Sequence, residues 1–136
     1  MTTFGAIGIA STGLTVHRKW LDAVSDNLAN INTVRSTDEA AFQAKYVVAE
    51  AANYGNDGLG DGVRVRGIEL GSAEGRMTYE PDHPLADAEG YVRRPDIDMS
   101  SQMTQLIMAQ RGYQANAAIV DRAKESYQAA LQIGRS

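Results

Sequence analysis

The sequence predicts a mainly α fold: two long terminal helices packed as an antiparallel coiled coil or bundle, with a small β-hairpin-rich insert between them. Three observations carry this expectation. Residues 98–133 run without a proline and repeat apolar side chains every seventh position. The first thirty residues repeat the same pattern, and the stretch between is short alternating segments punctuated by glycine and proline. The two helical ends, residues 1–35 and 98–136, form one discontinuous helical domain. Residues 36–97 form the insert, with a flexible loop at 53–62.

The amino-terminal helix is read from Ala6 onward. Ile7, Leu14, Leu21 and Leu28 make one seven-residue row, and Ala10, His17, Val24 and Ile31 make the second. Two rows offset by three and four positions are the seam of a coiled coil. Gly8 and Gly13 weaken the first turns, each costing about 1 kcal/mol against alanine. His17, on the seam, reads as a packed or water-touching histidine, with a buried pH switch as the lesser alternative. The run Asp26-Asn27-Leu28-Ala29-Asn30-Ile31-Asn32-Thr33 ends the helix, since asparagine tolerates left-handed backbone and bonds locally to the chain.

Residues 33–38 read as a loop and 45–50 as a strand. Residues 53–62 are rich in Asn, Asp and Gly. A calcium site could be drawn from Asn56, Asp57 and Asp61, but the bidentate glutamate of an EF-hand and the repeats of other calcium loops are both missing. Val63-Arg64-Val65-Arg66 alternates as a half-buried strand does. Gly67 breaks the phase, and a bulge there would return Ile68 and Leu70 to the face of Val63 and Val65. Met77 and Tyr79 offer a second short strand, and residues 79–84, with Pro81 and Pro84, a turn. Tyr91-Val92-Arg93 offers a third strand, stopped by Pro95.

Asp98 precedes the last helix and suits an N-cap, accepting a free backbone N–H of the first turn. Met99, Leu106, Tyr113, Val120 and Tyr127 form one row. Met103, Ala117 and Leu131 lie on the other, which Gln110 and Lys124 interrupt with stems that cover apolar surface while their ends reach water. At about 1.5 Å per residue the helix spans roughly 50 Å, more than a compact domain of this size needs. Gly112, mid-helix, marks a place where another backbone approaches closely or where its helix cost is tolerated.

Of 136 residues, 13 are basic and 17 acidic, a net charge of −4 with no basic patch. Nucleic acid is therefore not the expected partner. The absence of cysteine excludes disulfides and thiolate chemistry. No run of 18 apolar residues would span a membrane. The basic start of a secretory leader is missing, because the first basic residue is Arg18. His17 and His83 lack metal-ligand spacing, and no phosphate-binding loop, dinucleotide fingerprint or nucleophile elbow occurs. Neither catalysis nor a metal, cofactor or small-molecule substrate is expected. What remains is geometry: apolar rows at both ends, which in water mark an association surface. The activity expected is assembly, with a closed coiled-coil dimer acting as a soluble adaptor or regulator as the alternative.

The residues that end the first helix resemble a signature of the flagellar rod and hook protein family, carried here by Asn27, Leu28, Ala29, Asn30, Asn32 and Thr33. Arg111, Tyr113, Gln114, Ala115 and Asn116 are similar to the carboxy-terminal signature of the same family, and residues 62–68, 79–84 and 87–92 resemble its proximal rod members. Asp26, Gly112, Ser100 and Ser101 depart from the usual residues. The resemblance implies a structural subunit of the basal-body rod, which crosses the periplasm. It implies export by the flagellar type III apparatus without a cleaved signal. It also implies helical assembly with copies of itself, other rod proteins and adjoining basal-body components, through the terminal helices. The interface expected on them is Ile7, Leu14, Leu21, Val24, Leu28 and Ile31 at one end, and Met99, Met103, Leu106, Tyr113, Ala117, Val120, Tyr127 and Leu131 at the other.

Overall fold

The computed structural model describes residues 3–55 and 60–135. Its elements run α1 (Thr3–Ala29), β1 (Lys45–Ala52), β2 (Gly62–Leu70), β3 (Arg76–Tyr79), β4 (Tyr91–Arg94) and α2 (Met99–Gly134). Two helices thus flank a small antiparallel β region, and the molecule is α-rich. Asn56 and Asp57, considered for calcium, lie outside the described residues. Asp61 accepts from the backbone N–H of Tyr54 and of Gly55.

α1 starts earlier than its first apolar row suggests. Glycines at 5 and 8 do not delay it, because Phe4 packs edge-on to Tyr127 of α2 with ring centroids 5.3 Å apart. Its end is set by the asparagines. Asn30 N–H is shared between Asp26 O and Asn27 O at 3.2 and 3.3 Å, and its side-chain amide folds back onto Asp26 O at 2.9 Å. Carbonyls that the last turn leaves free are satisfied in this way.

β1 and β2 pair antiparallel, with Tyr46 opposite Glu69, Val48 opposite Gly67, and Ala49 opposite Val65. Arg66 is the extra residue, so the bulge falls beside Gly67. Residues directly opposite in an antiparallel pair share a face. The register therefore places Val63, Val65, Ile68 and Leu70 on one side with Ala51, Ala49, Val47 and Lys45, as the phase break predicts. This hairpin lies along α1. Lys45 is bound at Asn27, and at the other end Val63 N–H donates to Thr12 Oγ1 at 3.1 Å. Gly62 has φ +126°, and a β-carbon there would collide with the Thr12 hydroxyl, so both backbone and space require glycine.

β3 and β4 form a second two-stranded sheet, closed by an edge-to-face pair of Tyr79 and Tyr91 at 5.3 Å. The segment after α1 is stitched to it by reciprocal backbone bonds between Arg35 and Arg93, both 2.9 Å. Asp98 caps α2 as expected, accepting from Ser101 N–H at 2.7 Å. Among the described residues the buried apolar core is Ala10, Val16, Ala23, Val24, Ala41, Ala44, Ala52, Val92, Ile97 and Ala109. Alanine dominates it. Small side chains let the elements approach closely, and most of the large apolar residues are left outside.

Candidate assembly surface

One buried polar junction ties α1, β1 and α2 together. Asn27 is fully buried and Gln102 is 2% exposed. The Asn27 amide accepts from Lys45 N–H at 2.8 Å and donates to Lys45 O at 3.0 Å, so it binds the edge of β1 as a peptide group would. The same Nδ2 donates to Gln102 Oε1 on α2 at 3.1 Å. Beside it Lys45 pairs with Asp26. Buried amides are tolerated only when their hydrogen-bonding capacity is met in this way. Asn27 is thus an internal latch. Asn30 and Thr33 bond to each other at 3.2 Å, Leu28 is half-buried, and Ala29 and Asn32 are exposed.

The two helices touch along their lengths, and the α2 position falls as the α1 position rises. Phe4 meets Tyr127, Gly13 meets Asn116, His17 meets Gly112, Trp20 Nε1 donates to Gln105 at 3.3 Å, and Asn27 meets Gln102. The α2 residues on this line, Gln102, Ala109, Gly112 and Asn116, are small or polar. They do not lie on the two apolar rows read from sequence. A strict seven-residue row drifts about 20° per heptad on a straight helix, so from Met99 to Tyr127 it turns through roughly 80°. Tyr127 reaches α1, Val120 and Leu106 are half-buried, and Met99 and Met103 remain 49% and 43% exposed.

The sequence-derived residues therefore divide by depth. Val24 is buried. Ile7, Leu14, Leu21, Leu28, Ile31, Leu106, Ala117 and Val120 are half-buried. Met99, Met103, Tyr113, Tyr127 and Leu131 are exposed, and Ile107, which the rows omit, is 47% exposed one turn beyond Met103. Of the carboxy-terminal signature, Arg111, Gln114 and Ala115 are exposed, while Asn116 is turned against Gly13. Sequence reasoning missed Gln102 and the role of Gly112 in seating His17. The one signal available was a glutamine seven residues before Ala109 and a glycine three residues after it.

A second apolar patch sits on the β3–β4 hairpin, where Met77, Tyr79, Leu85 and Tyr91 are exposed. Its turn is held by Asp87, whose carboxylate accepts from Tyr91 N–H at 2.8 Å and Glu89 N–H at 3.1 Å. The Tyr91 bond is the main reason that this carboxyl titrates below the ordinary aspartate range. No described helix is long and apolar enough to cross a membrane, and no group of three or more potential ligands among the described residues could hold a metal ion.

Residues 88–133 match the family described as the carboxy-terminal part of flagellar basal body rod FlgEFG proteins. Over nearly its whole length the chain is also similar to proteins named flagellar basal-body rod protein FlgC. It is 33% identical to that of Borreliella burgdorferi, with 98% of each chain covered. Identity to the protein of Yersinia enterocolitica is 34%, covering 99% of this chain and all of the relative. For Bacillus subtilis it is 30% over the same shares.

Proposed function

The chain belongs to the FlgC family of flagellar basal-body rod proteins, and on that premise we propose that it enters the rod through its two terminal helices. It is a structural subunit of the bacterial flagellar basal-body rod, assembles with other rod components, and is not an enzyme. In our reading α1 and α2 form an antiparallel coiled-coil pair, and residues 36–97 are a β insert carried by it. The pair stacks helically on copies of itself and on other rod proteins, making a drive shaft that transmits torque. Contacts of this kind do not close on themselves, which is how tubes arise. The chain reaches the rod through the flagellar type III export apparatus, without a cleaved signal.

The observation that carries the assembly reading is the exposed apolar stripe Met99, Met103 and Ile107 on α2, with Leu131 farther along. A thin alanine core cannot cover it, and burying it would release water from apolar surface at about 25 cal/mol per Å². The test is Met103→Asp and Leu131→Asp in a motile host lacking the native protein. Neither side chain is buried, so the melting temperature of the purified chain should move by about 2 °C or less. Rod incorporation and motility should fall at least tenfold. Normal swimming by both variants would exclude this face from assembly.

A further inference from the structure

α1 and α2 each carry a glycine one turn before a polar side chain, and the two units face each other reversed. His17 Nδ1 lies 2.7 Å from Gly13 O, so that nitrogen carries the hydrogen and donates to the carbonyl. Asn116 donates through Nδ2 to Gly112 O at 2.8 Å. Both side chains are thereby held against the carbonyl four residues back. The His17 ring occupies the space where a β-carbon of Gly112 would stand. The Asn116 amide does the same at Gly13, where a β-carbon would lie 2.6 Å from its oxygen. Each helix supplies one notch and one key.

We propose that Gly13–His17 and Gly112–Asn116 form a reciprocal lock that sets the alignment of the distal halves of the two helices. At the proximal end alignment is fixed by Asn27 and Gln102. Beyond it Trp20 bonds to Gln105 and Phe4 packs on Tyr127, while the buried Ala10 and Ala109 are small and discriminate poorly between offsets. Three contacts share one offset: the step from 27 back to 17 is matched from 102 to 112, and that from 17 to 13 from 112 to 116, while Trp20–Gln105 and Phe4–Tyr127, made by longer side chains, depart from it by four and two residues. Sliding α2 by one turn would bring Met108 or Asn116 opposite His17, so the ring would meet a side chain where it now meets a notch. The two back-bonds matter because they stop the keys from swinging aside to accept a wrong offset.

The lock is tested by two mutant cycles in the full-length chain, read by thermal unfolding. Helix propensity alone would make Gly→Ala stabilising. The lock predicts instead that Gly112→Ala lowers the melting temperature by about 5 °C, and that adding His17→Ala, which empties the notch, restores it to at least the His17→Ala value. Gly13→Ala with and without Asn116→Ala should behave alike. If Gly112→Ala alone does not fold, the double variant still should. Alignment is read separately with engineered cysteine pairs, since the chain has none of its own. Phe4→Cys with Tyr127→Cys reports the observed offset, and Phe4→Cys with Ala123→Cys a one-turn slip. The slipped disulfide should rise several-fold only when His17→Ala and Asn116→Ala are both present. Glycine variants as stable as the parent, or a disulfide ratio indifferent to the two keys, would overturn the proposal.

Discussion

At the scale of the residue, the molecule depends on polar side chains doing backbone work. Asn27 spends its donors and its acceptor on β1 and α2, and Asn30 and Asp98 close the ends of the two helices. Removing Asn27 leaves Lys45 N–H, Lys45 O and Gln102 Oε1 without their partner in a buried place, at about 1–3 kcal/mol for each group that water cannot reach. Asn27→Ala should therefore destabilise the chain by about 3 kcal/mol in urea unfolding. Asn27→Asp should do no better, because it keeps an acceptor for Lys45 N–H and loses the donor that Lys45 O and Gln102 need. A variant within 0.5 kcal/mol of the parent, a margin about that of a neutral surface change, would show that the junction is dispensable. His17 is half-buried, and what seats it lies across the interface in Gly112.

At the scale of the element, α2 is not uniform. From Gln102 to Asn116 it is pinned by Asn27, Trp20, His17 and Gly13. From Lys124 to Arg135 every residue is exposed, and α1, which begins at Thr3 opposite this region, has little left to pair with it. Helical segments with few tertiary contacts open readily, since most of a helix's stability in a protein comes from packing. Hydrogen exchange of the isolated chain should show amides of residues 125–134 exchanging at least a hundredfold faster than those of 105–116, and slowing on incorporation into the rod. Equal protection along the helix would refute this. The β1–β2 hairpin shows the opposite economy. A single bulge at Arg66 keeps four apolar residues on one face, and Asn27 and Thr12 fasten its two ends to α1.

At the scale of the whole molecule, the core is small and the exposed apolar surface large. Met77, Met99, Met103 and Met108 are 43–55% exposed. All four should oxidise readily in the free chain, as accessible thioethers do. Oxidative footprinting of assembled rods should find Met99 and Met103 protected if the α2 stripe is the covered face. Unchanged oxidation there, with protection elsewhere, would move the interface to another part of the surface, the Met77–Tyr79–Tyr91 patch first.

By itself the sequence determined the order of the elements and several of their ends, though not the start of α1 at Thr3. Seven-residue periodicity, the capping aspartate, the asparagine run and the phase break at Gly67 are local signals, and each is read over a few residues with the physics that acts over the same distance. The expectation of assembly also came from sequence, because long apolar rows in a short chain exceed what the chain can bury alone. Only the tertiary structure decided which line of α2 meets α1. That choice depends on how closely two backbones can approach. It falls to Ala109, Gly112 and the interlocked His17 and Asn116, and not to the larger side chains of the periodic rows. Close approach is a property of two surfaces together, and neither helix states it alone.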